Sequence, residues 1–155
     1  MNLDGSARVM IAVANCIAGP SSFASWIKES FAATFSTLDE VPGVREFHLR
    51  RLTASGEHCL LVSITIWDDI EHFEWWRTSA AFVAAHPDRK AYQSEFRRMR
   101  SIRYDIATVP ATTIDDLDAE VVRRLSAEHP DLVSTDSKFV NEIHWTSAEV
   151  DRPLR

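Results

Sequence analysis

Three residue types carry the chemistry of this chain, and two of them fall in one short stretch, WWRTSAAFVAAH at 75–86. Trp76 supplies a wide, rigid wall with a single N–H. His86 supplies an imidazole, the commonest metal ligand and the side chain that titrates nearest neutral pH. Small residues separate them, and a flat ligand with a central metal would draw on both. The third residue is Asn15, whose amide stands in a strand rich in Val and Ile. A carboxamide in such a strand must find hydrogen-bond partners or cost a few kcal/mol, so it is suited to orienting a ligand or a bound oxygen. Taken singly, each has a plainer reading. Asn15 could bond a neighbouring backbone, Trp76 could be core, and His86 could cap a helix. Together they describe one cavity between a sheet and its covering helices, a common place for ligands.

The elements that must hold these residues are legible as patterns. In the first strand, Arg8 to Ile17, Val9, Ile11, Val13, Asn15 and Ile17 share one face, and Met10, Ala12, Ala14 and Cys16 share the other. Gly19-Pro20 breaks that strand. Ser21 or Ser22 then caps a helix with Phe23, Ile27, Phe31, Phe35 and Leu38 at helical spacing. Val41-Pro42-Gly43 opens a second strand, Val44 to Leu52, which a polar turn joins to a third, His58 to Trp67, as an antiparallel pair. Asp68 with Glu71 three places on reads as a capping box for a second helix bearing Ile70, Phe73 and Trp76.

Thr78-Ser79 is placed to restart a short helix, Ala80 to Ala85, which His86-Pro87 interrupts because the residue before proline is pushed from helical geometry. A basic helical run, Asp88 to Arg100, and a fourth strand, Ile102 to Val109, complete a β-α-β-β-α-β order. That order predicts an α+β, ferredoxin-like split βαβ fold with an antiparallel sheet over residues 1–109. Residues 110–155 read as a C-terminal extension. It comprises a linker at Pro110 to Thr113, a charged helix from Ile114 to Glu128 with Leu117, Val121, Val122 and Leu125 on one stripe, and a mixed tail. The helix is expected to dock on the body or on a partner subunit, and a dimer partner is one candidate cover for the second sheet face.

Composition narrows the function classes. With 155 residues, 45% hydrophobic and 26% charged, the chain suits one soluble domain. A net charge of −6 argues against general nucleic-acid binding. Cys16 and Cys59 lie in apolar runs and read as buried free thiols. The start, MNLDGSARVMIAVANC, has no charged leader followed by a long apolar run, and no later run reaches a membrane span, so the expectation is a cytoplasmic protein with no membrane partner. Only four glycines are present, and no phosphate loop, paired-cysteine metal motif or nucleophile elbow occurs. Among lesser candidates, His48 and His58 on adjacent strands offer a two-His pair without a third ligand. His72 sits among acidic residues of a solvated surface, and Tyr92 lies on the basic run. Arg97, Arg98, Arg100 and Arg103 could pair with acidic ligand groups or simply form a solvated basic helix.

The segments VANCIAGPSSFASWIKESF, PGVREFHLRR and ITIWDDIEHFEWWRTSAAFVAAH resemble the antibiotic biosynthesis monooxygenase superfamily of small dimeric α+β barrels. Within it they resemble the IsdG-like haem-degrading monooxygenases. The resemblance covers about residues 8 to 109. It implies that His86 ligates haem iron, Trp76 presses on the macrocycle and Asn15 hydrogen-bonds an iron-bound oxygen species, with Phe23 also contacting the cofactor. It further implies haem as both substrate and cofactor, molecular oxygen, an external electron donor such as a reductase, and a homodimer. Two other functions stay open on the same residues: a cofactor-independent oxygenase or tailoring enzyme for an aromatic polyketide, and a haem-binding protein without turnover. Pro87 next to the proposed ligand and the tail beyond Val109 depart from the family pattern.

Overall fold

A computed structural model describes residues 10–20, 25, 28–29, 31–32, 37–52, 58–79, 100–109, 111–133 and 137–147. Five strands make one antiparallel sheet: β1 (Met10–Pro20), β2 (Val44–Leu52), β3 (His58–Trp67), β4 (Arg100–Thr108) and β5 (Phe139–Thr146), in the order β4-β1-β3-β2-β5. Helix α1 is described at 25, 28–29 and 31–32, α2 spans Ile70–Arg77 and α3 spans Ile114–Glu128. The first four strands and the helices between them keep the α+β split order that the hydrophobic patterning predicts. β5 was not expected: the segment read as a mixed tail pairs with β2 and extends the sheet by one edge strand.

The alternation of β1 sorts the core into two layers. Ala12, Ala14, Cys16 and Ala18 face α3, whose Leu117, Val121 and Leu125 close over them together with Val62, Ile64, Tyr104 and Ile106. Small residues on β1 let the helix approach closely, and larger residues of β3 on one side and β4 on the other fill the space beside it. This second face, for which a partner copy was one expected cover, carries α3 of the same chain. On the first face Val13 packs with Phe47, Trp67, Phe73 and Trp76, and Ile17 with Leu49, Leu61 and Phe31. The Phe31 ring of α1 meets Phe47 edge-on at 5.6 Å.

Capping fixes where the helices start. The N-cap of α2 is Asp69 rather than Asp68: its carboxylate accepts the His72 backbone N–H at 2.9 Å. Asp68 instead pairs with Arg45 at 3.0 Å and donates its backbone N–H to the Gly43 carbonyl at 2.8 Å. A capping box of Thr113 and Asp116 starts α3 where the sequence places it. Thr78 and Ser79 end α2, their hydroxyls donating back to the Trp75 carbonyl at 3.0 Å and the Trp76 carbonyl at 2.6 Å. The expected helices at 80–85 and 88–99 lie outside the described residues, whereas Arg100 belongs to β4 and not to a helix. Both cysteines are free thiols. Among the described residues no helix is long and apolar enough to cross a membrane.

Candidate active site

Register fixes the surroundings of Asn15. It stands opposite Ser63 on β3 and Arg103 on β4, and Ser63 in turn stands opposite Leu49 on β2. Residues directly opposite in an antiparallel pair point to the same face, so Arg103, Asn15 and Ser63 form one polar row across a face that is otherwise largely apolar. The neighbouring row is Val13, Thr65 and Phe47, with Asp105 at the β4 end. Asn15 is half-buried, and among the described residues its amide has no hydrogen-bond partner.

Helix α2 lies over this face. Trp76 is 5% exposed, while Trp75 beside it is 56% exposed and points to solvent, so the tandem pair divides between core and surface. The Trp76 ring lies 5.4 Å from Trp67 and 6.3 Å from Phe73, and Phe73 meets Trp67 edge-on at 5.6 Å. Trp76 is therefore one wall of an aromatic cluster. The Trp67 indole N–H within it is buried with no hydrogen-bond partner among the described residues, an unspent donor beside the wall. Val13, one same-face position along β1 from Asn15, packs in that cluster.

Arg103 closes the row electrostatically. Its guanidinium lies 4.7 Å from the Phe73 ring centroid and donates to Asp105 at 2.8 Å and Glu74 at 3.1 Å. The hydrogen bond with Asp105 is the main reason its pKa is raised. Glu74 is held below the usual carboxylate range, first by Arg103 and then by Arg77. Arg103 is thus a strand residue engaged with two carboxylates, not part of a solvated basic helix. Arg100 likewise pairs with Asp131 at 2.7 Å.

The structure brings Asn15 and Trp76 to the same layer. His86 and Phe23 lie outside the described residues, as do Tyr92, Arg97 and Arg98. The His48–His58 pairing does not form: His48 stands opposite Ile64 on β3, whereas His58 stands opposite Pro20 at the other end of the sheet. His48 stacks instead on His144 of β5, on the opposite face from Asn15. His72 donates its Nδ1–H to the Asp69 carboxylate at 2.7 Å and is half-buried, not a free surface imidazole.

Arrangement and sequence agree on the family. The sequence profile of the antibiotic biosynthesis monooxygenase family matches residues 10–88, just over half of the chain. The chain belongs to that family. Its members are generally monooxygenases, and the matched segment carries both Asn15 and Trp76. A solved structure from Bacillus cereus, named as a candidate antibiotic biosynthesis monooxygenase, superposes with a TM-score of 0.51 at 12% identity, covering 68% of this chain and 98% of that one. A second, from Caulobacter crescentus CB15 and named likewise, gives a TM-score of 0.52 at 14% identity, covering 66% and 92%. These two share the fold of the monooxygenase family with this chain. SnoaB, a cofactor-independent oxygenase from Streptomyces nogalater, is similar at 19% identity with a TM-score of 0.46, covering 67% and 96%. No curated protein matches the chain.

Proposed function

We propose that this family member is an oxygen-dependent monooxygenase acting on a flat, conjugated substrate held between the sheet and α2. One observation carries the reading: the half-buried Asn15 amide, which has no described partner, stands on the face that Trp76 and Phe73 cover. A half-buried amide that no described protein group engages is free to donate to and accept from a bound polar group. The Trp76 cluster supplies the flat apolar wall, and the Asn15 N–H donates to an oxygen of the substrate, stabilising negative charge that develops there during reaction with oxygen. Ser63 lies beside it as a second polar group, and Arg103 with its two carboxylates borders the row.

The substrate of the first version of this reading is an aromatic polyketide-like molecule, and nothing beyond oxygen and the residues above is asked of the site. The second version takes haem as substrate and cofactor, following the resemblance in Asn15, Trp76 and His86. Haem needs an axial ligand, and the described side chains do not provide one beside Asn15. His48 and His144 stand on the other face, His72 is held at Asp69, and His129 ends α3. The haem version therefore rests on His86, whereas the aromatic version rests on Asn15 and the Trp76 cluster. The haem version also brings a reductase or small reductant, and both versions bring a homodimer.

Hemin titration separates the versions. A Soret shift that saturates at one hemin per chain and is lost in His86→Ala, with the band bleaching under ascorbate and air, supports the haem version. Saturable binding with an unbleached spectrum identifies a haem-binding protein without turnover. No spectral change removes haem altogether. The aromatic version is then tested by quenching of the Trp76 cluster and oxygen uptake with polycyclic phenols, both of which Asn15→Ala must weaken.

A further inference from the structure

The opposite sheet face carries a separate group of metal-ligating side chains. Glu46 and His48 are two residues apart on β2 and so share a face, and the β2–β5 register sets His144 directly opposite His48. His48 Nε2 lies 3.0 Å from Glu46 Oε1. The two imidazoles are stacked with centroids 4.4 Å apart and an interplanar angle of 18°. One ligand atom from each of the three residues lies within 4.8 Å of the other two.

We propose that Glu46, His48 and His144 form a binding site for one divalent transition-metal ion of the zinc type, which ties the edge strand β5 to β2. Two imidazoles and a carboxylate are the donor set that zinc, cobalt and nickel favour, whereas calcium and magnesium require more oxygens. Ligand bonds of about 2.0–2.2 Å around a tetrahedral ion place neighbouring donors about 3.3–3.5 Å apart. The Glu46–His48 spacing of 3.0 Å is already close to that. The ligand atoms already lie within 4.8 Å of one another, so a closure of about 1 Å, supplied by a small rotation of the His144 ring, completes the set. His144 is exposed and on an edge strand, so the rotation displaces no core packing.

Three surrounding features favour a cation here. Thr146 Oγ1 lies 2.8 Å from His144 Nε2, and a ring whose Nε2–H donates to that hydroxyl presents Nδ1 as the lone-pair nitrogen. The Glu46 carboxylate is already aimed at the His48 ring, its Oε1 3.0 Å from Nε2. The two nearby guanidinium groups are each matched by a carboxylate of their own: Arg45 by Asp68 at 3.0 Å and Arg50 by Asp118 at 2.6 Å. His48 is 5% exposed, and Glu46 is half-buried, so the ion would be partly shielded yet reachable through His144.

Zinc chloride titrated calorimetrically into the untagged, chelator-stripped chain tests the site, with Co2+ absorption as a second probe and Ca2+ and Mg2+ as controls. The expected result is one Zn2+ per chain, no heat with Ca2+ or Mg2+, and a Zn2+-dependent rise in melting temperature. His144→Ala and Glu46→Gln should each raise the dissociation constant at least about tenfold, as loss of a ligand does no less than loss of its supporting contact. His129→Ala should leave binding unchanged. His144→Ala tests the site without a folding penalty because the residue is exposed, and its melting curve in chelator should match that of the native chain. Zn2+ binding that both ligand variants leave intact would overturn the proposal, as would the absence of saturable binding. Neither outcome bears on Asn15, which is on the other face.

Discussion

Arg103 stands opposite Asn15 across the β1–β4 pair, and Glu74 of α2 reaches down to hold its guanidinium at 3.1 Å. With the Phe73 ring under the same guanidinium, this ion pair ties the polar row of the sheet to the helix that bears Trp76. Asn15→Ala should leave stability within about 0.5 kcal/mol of the native value, because a half-buried amide without a described partner adds little to the fold. Arg103→Ala should cost about 1 kcal/mol, the combined worth of part-exposed ion pairs and a cation–π contact. Urea denaturation measures both. A loss above about 2 kcal/mol in Asn15→Ala would give the amide a structural role instead and remove its assignment to ligand binding.

The sheet was legible because its signals are local. Alternation in β1 placed Asn15 on the face of Val13, and the bulky, helix-covered side of that strand is the side on which Trp76 is found. The Ile114–Glu128 helix was legible to the residue because Thr113 and Asp116 cap it reciprocally and its apolar stripe is unbroken. Its docking site was not, because a stripe states that a surface is covered and not by which surface. β5 was missed for a related reason. FVNEIHWT mixes His, Asn and Glu with its apolar residues, and only pairing with β2 makes it a strand. The His48–His144 pair was hidden with it, since the partner of His48 is 96 positions away in sequence and belongs to that unrecognised strand. Asp68 was mistaken for the cap because Asp68 and Asp69 both precede the helix. Arg45, which decides between them by pairing with Asp68, is distant in sequence.

Gly43 is the one described glycine whose backbone demands the residue, with φ at 84°. A Cβ there would also run into the ring of His72. Gly43→Ala should therefore destabilise by about 2 kcal/mol or more, combining the left-handed penalty of roughly 1–2 kcal/mol with the clash. In the double variant Gly43→Ala/His72→Ala the clash is relieved and only the backbone strain remains. Denaturation of all three chains checks this, and a double variant no more stable than Gly43→Ala would show that the His72 contact contributes nothing.

Asp118 joins α3 to the sheet through Arg50 at 2.6 Å, and burial pushes its carboxyl up to about 6 against the pull of that guanidinium. The unfolded chain releases this proton near 3.8, so between those values the native state binds more protons. Stability assigned to this group is thus largest below the lower value and falls as pH rises toward the upper one. The change should amount to about 1–2 kcal/mol between pH 4 and pH 7, after screening is allowed for. Asp118→Asn should flatten that part of the pH–stability curve. Equal slopes in the two chains would show that Asp118 ionises in the native state as it does when unfolded.

Cys16 is fully buried between Val62 of β3 and Ile102 of β4, beneath α3, and burial pushes its thiol up to about 12. Cys59 is half-buried, and burial raises its pKa as well. The reactive species is the thiolate, so neither group should react quickly at pH 8. Cys59 should label slowly in the native chain, and Cys16 should label only at the rate of opening that lifts α3 from β1, β3 and β4. Timed labelling with an aromatic disulfide reagent, with the site assigned by peptide mass, reads both rates. Urea below the unfolding midpoint should accelerate Cys16 far more than Cys59. Cys16 reacting as fast as Cys59 in the absence of denaturant would mean that α3 leaves that face of the sheet open.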